Sequence, residues 1–162
     1  MNSAGLFPLV GTELLESLNS SGLSGFSYNR KDYGTHVSVS TVWLFLGDGA
    51  VLRLQPEMHD LEGWDEVGSL VVERVEPAEA PPLIQLGDEW KEIASIEKLV
   101  VSEPGYFSAE SGLKISNRKR EAITICNSAS PYQLALSTPV THDTLTPEYS
   151  LDRYLVCSAF HK

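Results

Sequence analysis

The chain has 162 residues, of which 42% are hydrophobic and 21% charged, with 22 acids, 12 bases and a formal net charge of −10. That length suits one ordinary domain over 1–162, and the composition excludes disorder of the whole chain. No apolar run approaches the roughly 20 residues of a membrane helix, and a nucleic-acid partner is disfavoured because the one basic cluster, Arg118-Lys119-Arg120, fits a hairpin turn better than a phosphate-binding groove.

The first residues, Met1-Asn2-Ser3-Ala4-Gly5, have no basic region followed by a long apolar run, which predicts no secretory signal and a cytoplasmic location. Leu6, Leu9, Val10, Leu14 and Leu18 recur at three- and four-residue steps and predict a helix over 6–18. Pro8 is tolerated only in a first turn, which moves the start toward Gly11. Asn19-Ser20-Ser21-Gly22 ends the helix. Residues 23–34 are rich in Ser, Gly and Asn and read as a loop, with short strand character at Phe26-Ser27-Tyr28.

From Thr35 the period changes to two, with Val37, Val39, Thr41, Trp43 and Phe45 on one face of a strand. Gly47-Asp48-Gly49 joins it to a second strand over 50–55, the clearest hairpin in the chain, and Pro56 ends that strand. Residues 57–66 read as a polar loop and 67–76 as a third strand. The following run, 76–82, holds three prolines and can only be a loop or edge connector.

Residues 93–102 fit a strand and also helical spacing; the β-branched content favours the strand. In it Ile93, Ser95, Glu97, Leu99 and Val101 face one way. A turn at Glu103-Pro104-Gly105 follows. A second hairpin spans 112–127 around Asn117-Arg118-Lys119-Arg120, with Leu113, Ile115, Ile123 and Ile125 inward. Strands over 132–137 and 154–160 flank a Thr- and Pro-rich loop over 139–147. One helix, seven or eight strands and no βαβ alternation predict a mainly β domain: an antiparallel sandwich or open barrel with one N-terminal helix across an end.

The sequence contains no GxGxxG, P-loop, HExxH or nucleophile elbow, so it leans away from an enzyme and implies no cofactor. His36, His59, His142 and His161 are scattered. His142-Asp143 are adjacent in the chain, where side chains rarely point at each other. The oxygen-rich run His59–Glu66 lacks the bidentate Glu of a calcium loop, and no metal site is expected. Cys126 and Cys157 match no metal or redox spacing and read as unpaired thiols in a reducing compartment.

The charge is uneven. Between Glu57 and Glu103 lie thirteen acids and three bases, so this segment carries the whole net charge and nine of each remain elsewhere. Two tryptophans sit within it, each among acids: Trp64 beside Glu62, Asp65 and Glu66, and Trp90 beside Glu89 and Glu92. An aromatic centre with a charged rim is the composition of a protein-interface hot spot, and these seven residues are the candidate partner-binding set.

The segments Glu110-Ser111-Gly112-Leu113-Lys114-Ile115, Ile123-Thr124-Ile125-Cys126, Ser130-Pro131-Tyr132-Gln133-Leu134-Ala135-Leu136 and Pro147-Glu148-Tyr149-Ser150-Leu151-Asp152-Arg153-Tyr154 resemble small cytoplasmic bacterial proteins grouped with the immunity proteins of polymorphic toxin systems. The resemblance covers part of the C-terminal half and carries no catalytic motif. Its turn departs from the usual glycine, having Asn117-Arg118-Lys119-Arg120 instead. It implies an immunity-type inhibitor whose acidic surface occludes a basic partner. The alternative is a small-molecule-binding β-barrel with Trp43, Phe45 and Tyr132 lining a cavity. An uncovered sheet edge would also allow a homodimer.

Overall fold

The computed structural model describes residues 5–32, 34, 37–140 and 146–160, with the side chains of Val37 and Trp64 left out. The expectations for His36, His142, Asp143 and His161 therefore lie outside the described residues. Among the described residues eleven strands form two sheets. In chain order they are β1 Gly5–Phe7, β2 Leu23–Asp32, β3 Val37–Leu46, β4 Val51–Asp60, β5 Glu66–Val75, β6 Ile84–Gln85, β7 Ile93–Glu103, β8 Phe107–Asn117, β9 Ala122–Asn127, β10 Leu134–Ser137 and β11 Leu155–Ser158. The α-helix, α1, is Leu15–Ser21.

One sheet runs β5-β4-β3-β2-β6 and the other β10-β9-β8-β7-β11, antiparallel throughout, with β1 added in parallel to Phe107–Ala109 of β8. The sheets do not close on each other, so the molecule is an open sandwich, as the alternating patterns predict. Between them lies the main core, in which Leu44, Leu52, Leu54, Leu70, Leu113, Ile115, Ile123 and Ile125 are all essentially inaccessible.

Four boundaries depart from the sequence reading. The helical periodicity over 6–18 covers two elements, because Gly5–Phe7 pairs with β8 and only 15–21 is α-helical, after a 3-10 turn at Thr12–Leu14. Residues 23–32 form a full strand and not a loop. Its Gly25 is required there, since a Cβ would lie 2.6 Å from the Ile84 carbonyl oxygen. β4 continues through Pro56 to Asp60: β3 pairs with β4 only as far as Leu54, so the missing proline N–H costs that side nothing. The two-residue β6 has no periodicity and escapes any pattern.

A bulge splits the second sheet's interior into two. Leu99 pairs with Gly112 and Val100 with Glu110, which leaves Ser111 of β8 unpaired. Past it the odd-numbered residues change face. Leu113 and Ile115 enter the main core, whereas Phe107 and Ala109 join a second cluster with Val67, Leu99, Val101, Cys126, Ala135 and Tyr154. Phe7, Leu61, Tyr106 and Tyr149 pack around this second cluster. The sandwich is pinned where the clusters meet: buried Asn127 donates through Nδ2 to the Ser69 carbonyl at 2.7 Å and to the Ser111 carbonyl at 3.1 Å. Gly68 leaves room for it, since a Cβ there would meet the Asn127 amide.

Both cysteines are free thiols, on strands separated in the sheet by β8 and β7. Burial pushes the Cys126 thiol up to about 12, with the Glu148 charge a smaller cause. Because the thiolate is the reactive form, a thiol-specific reagent should modify Cys157 alone in the native protein and both cysteines in denaturant. Rapid native modification of Cys126 would contradict this packing.

Candidate functional site

Two of the acids expected to bind a partner, Glu62 and Asp65, lie on the connection between β4 and β5, and Glu66 opens β5. The connection is tight because Leu61 N–H donates to the Asp65 carbonyl at 2.7 Å and Gly63 takes φ 76 inside the 3-10 turn Glu62–Trp64. All three carboxylates are exposed. Glu66 stands directly across the ladder from Asp60, a like-charge pair.

Two other segments bring charge and aromatic rings to the same end. Tyr106, in the β7–β8 turn, donates its hydroxyl to the Glu62 carbonyl at 2.6 Å and lies 3.3 Å from Asp65 Oδ2. Its hydroxyl is held above the usual phenol range by burial, and then by the charges of Asp65, Glu103 and Glu62. Tyr149, on the C-terminal segment, is raised by burial and by Glu148, Asp65 and Glu103, while Arg153 opposes the rise. The Arg153 guanidinium lies 4.6 Å from the Tyr149 ring centroid. Tyr149 in turn packs on Phe107 in the second cluster. The result is an acidic end built from three stretches of chain around Tyr106 and Tyr149.

Among the described residues none of Asp60, Glu62, Asp65, Glu66 or Glu103 is held in an ion pair. This is the arrangement of a surface that presents charge outward.

Glu148 lies partly buried beside this end. It accepts the Gly68 N–H at 3.1 Å, which lowers its pKa, but burial outweighs that bond and the Glu66 charge adds to the rise. A carboxyl raised in the folded state binds its proton more tightly there than in the unfolded chain. Its contribution to stability is therefore present at low pH and is lost as pH rises from 4.5 through the raised value. Glu148→Gln keeps the acceptor for Gly68 and removes the charge. Thermal unfolding across a pH series should show a flatter loss of stability toward neutral pH in the variant; an unchanged slope would mean that Glu148 ionises as it does unfolded.

The second half of the candidate set is elsewhere. Trp90 is 1% exposed and belongs to the main core. Its backbone carbonyl and that of Lys91 press on Gly22, next to Gly47 and the start of β4. Glu62, Asp65 and Glu66 lie at the far end of that ten-residue strand, about 30 Å away. Glu89 and Glu92 remain on the surface near Trp90, where Glu92 pairs with Arg118 at 3.1 Å and the adjacent Asp88 with Lys91 at 3.2 Å. The structure thus brings Glu62, Asp65 and Glu66 together and separates them from Glu89, Trp90 and Glu92. The Trp64 backbone lies at the acidic end; its side chain is outside the described residues.

His59 does not join the acids. Its ring stacks on Phe7 at 4.1 Å, and Nε2 lies 2.7 Å from Ser69 Oγ. Ser69 is fully buried, so the pair fixes the ring and presents no nucleophile. Among the described residues no three His, Cys, Asp or Glu side chains converge as a metal site, and no helix is long and apolar enough to cross a membrane. The residues proposed to line a barrel cavity do not do so: Tyr132 is 65% exposed, and Trp43 and Phe45 lie on the β3 face opposite Leu44. Sequence reasoning missed Tyr106, Tyr149, Glu148 and Arg153 as parts of the acidic end, because only the tertiary fold brings their segments to Glu62. Comparison of the chain with family models, with curated proteins and with solved structures finds no match.

Proposed function

We propose that the chain is a non-catalytic protein-binding module whose acidic end engages a basic protein partner. The observation that supports this reading is the group of unpaired, exposed carboxylates at Asp60, Glu62, Asp65, Glu66 and Glu103, gathered around two tyrosines. Carboxylates that serve only stability gain from partners in the same chain; carboxylates left facing solvent beside aromatic rings suit an incoming cation-rich surface. The most concrete form is an immunity-type inhibitor, which covers the basic active site of a toxin and acts by occlusion. Two free thiols suit the reducing cytoplasm in which such a protein meets its target. Self-association would instead use the β11 edge, where Leu155 and Val156 are exposed.

The test is capture from lysate of the source cells at low salt, with elution by a salt step. Wild-type bait should retain a basic protein that bait carrying Glu62→Lys, Asp65→Lys and Glu66→Lys does not. Equal recovery on both baits, or no salt-released protein, rejects the reading.

A further inference from the structure

Ser27, Trp43, Arg53 and Glu73 form one cross-strand row over β2, β3, β4 and β5. They point away from the main core, since their neighbours Phe26, Leu44, Leu52, Leu54 and Val72 point into it. Three hydrogen-bonding groups in this row are buried without a partner among the described residues: Ser27 Oγ, Trp43 Nε1 and Arg53 Nε. Ser27 is 2% exposed and Trp43 8%. All three can donate, and unmatched buried donors are costly.

The segment over 76–83 lies across them. It leaves β5, one edge of the sheet, and reaches β6 at the opposite edge. Glu79 Oε2 contacts Arg53 Nη1 at 2.7 Å, and Leu83 sits over Gly25. Ala80 and Pro81 are half-buried while their neighbours on both sides are exposed, so the strap rests on the face at its middle. Pro77, Pro81 and Pro82 make it proline-rich, and Ala80 has the φ −85, ψ 146 of polyproline II. This strap is anchored at Arg53 and over Gly25, on either side of Trp43, and accepts from none of the three donors. Beside it opens a cleft of about 730 Å³, lined by Arg53, Glu73, Val75, Glu76, Pro77 and Glu79.

We propose that this outer face is a docking groove for an extended, proline-rich peptide segment of a partner, which enters from the cleft and displaces the strap. An anion is a poor occupant, because Glu73 and Glu79 already neutralise Arg53. A proline-rich segment supplies carbonyl acceptors and few N–H donors, which suits the three unmatched groups of this face. The spacing also agrees: three adjacent strands place the outer two donors about 9.6 Å apart, and one turn of polyproline II rises about 9.3 Å. Tryptophan beneath prolines is the usual chemistry of such grooves. This site is distinct from the acidic end.

The test titrates an oligoproline peptide, with a Gly-Ser peptide of equal length as control, against the full chain by calorimetry. Wild type should bind oligoproline saturably. Glu79→Ala, which releases the strap's ion pair at the surface, should bind about threefold tighter. Ser27→Ala and Trp43→Phe, each removing one donor, should bind about fivefold weaker with unchanged circular dichroism. No saturable binding to Glu79→Ala, equal binding of the Gly-Ser peptide, or unchanged affinity in both donor variants overturns the proposal. So does concentration-dependent dimerisation of Glu79→Ala, which would make the occupant the strap of a second copy.

Discussion

Replacing Trp90 by alanine is expected to lower the free energy of unfolding by about 3–5 kcal/mol. The ring is 1% exposed within the main core, and its removal leaves a cavity that Leu15, Leu18 and Leu23, themselves fully buried, are poorly placed to fill. The turn that carries Trp90 also holds the junction between α1 and β2. There Gly22 takes φ 70, and a Cβ would lie 2.2 Å from the Lys91 carbonyl oxygen. Losing the ring therefore loosens that turn's hold on the core as well as the cavity walls. For a domain stabilised by about 5–15 kcal/mol, a loss of this size is a large share of the total. Urea unfolding followed by circular dichroism measures it. Charge reversals at the neighbouring Glu89, half-buried, and Glu92, exposed, should stay within about 0.5 kcal/mol of wild type. If Trp90→Ala were as stable as wild type, the indole would belong to the surface and the interface reading of this tryptophan would return.

That contrast shows what local sequence conveys. Trp64 and Trp90 have nearly the same neighbours in the chain, an aromatic ring among acids. Composition does not say whether such a ring packs into the core, as Trp90 does, because that depends on what packs above the turn. Where a pattern is set by the chain's own period, it was legible. The β3–β4 hairpin forms around Gly47-Asp48-Gly49, and Leu113, Ile115, Ile123 and Ile125 face the core as their spacing predicts, but an irregularity in β3 puts Val39 into the core with Val42 and Leu44 and leaves Trp43 and Phe45 on the other face. β2 was illegible because its small residues answer to the strap and β6 beside it: Gly25 makes room for Leu83 and Ile84, and Ser27 is one of the buried donors of the outer face. The Ser111 bulge likewise leaves no mark on a sequence that alternates through it, yet it creates the second cluster on which Tyr149 and Tyr106 sit. The acidic end was half visible. Its charge could be counted, but its position depends on β7, β8 and the C-terminal segment reaching the β4–β5 connection.

Reversing Glu62, Asp65 and Glu66 together to lysine should slow association with the basic protein recovered by capture by about 10–100-fold at low salt. Each reversal shifts the charge by two, so the net charge moves from −10 to −4, and the whole change falls where the chain presents unpaired carboxylates. Steering acts over the Debye length, about 10 Å at 0.1 M salt and 3 Å at 1 M. The wild-type and variant rates should therefore converge as salt is raised, and the dissociation rate should change less than the association rate. Stability should not fall, because Lys at position 66 would face Asp60 where Glu66 now repels it, and would relieve Glu148. Glu89→Lys with Glu92→Lys is the control, moving the net charge from −10 to −6. It alters net charge at the other end of the strand, about 30 Å away, where Glu92 already pairs with Arg118. Stopped-flow association across a salt series separates the cases. A large effect of the triple variant with a small effect of the control assigns steering to the acidic end. Equal slowing by both would assign it to the charge of the whole molecule, and the acidic end would lose its claim as the binding surface.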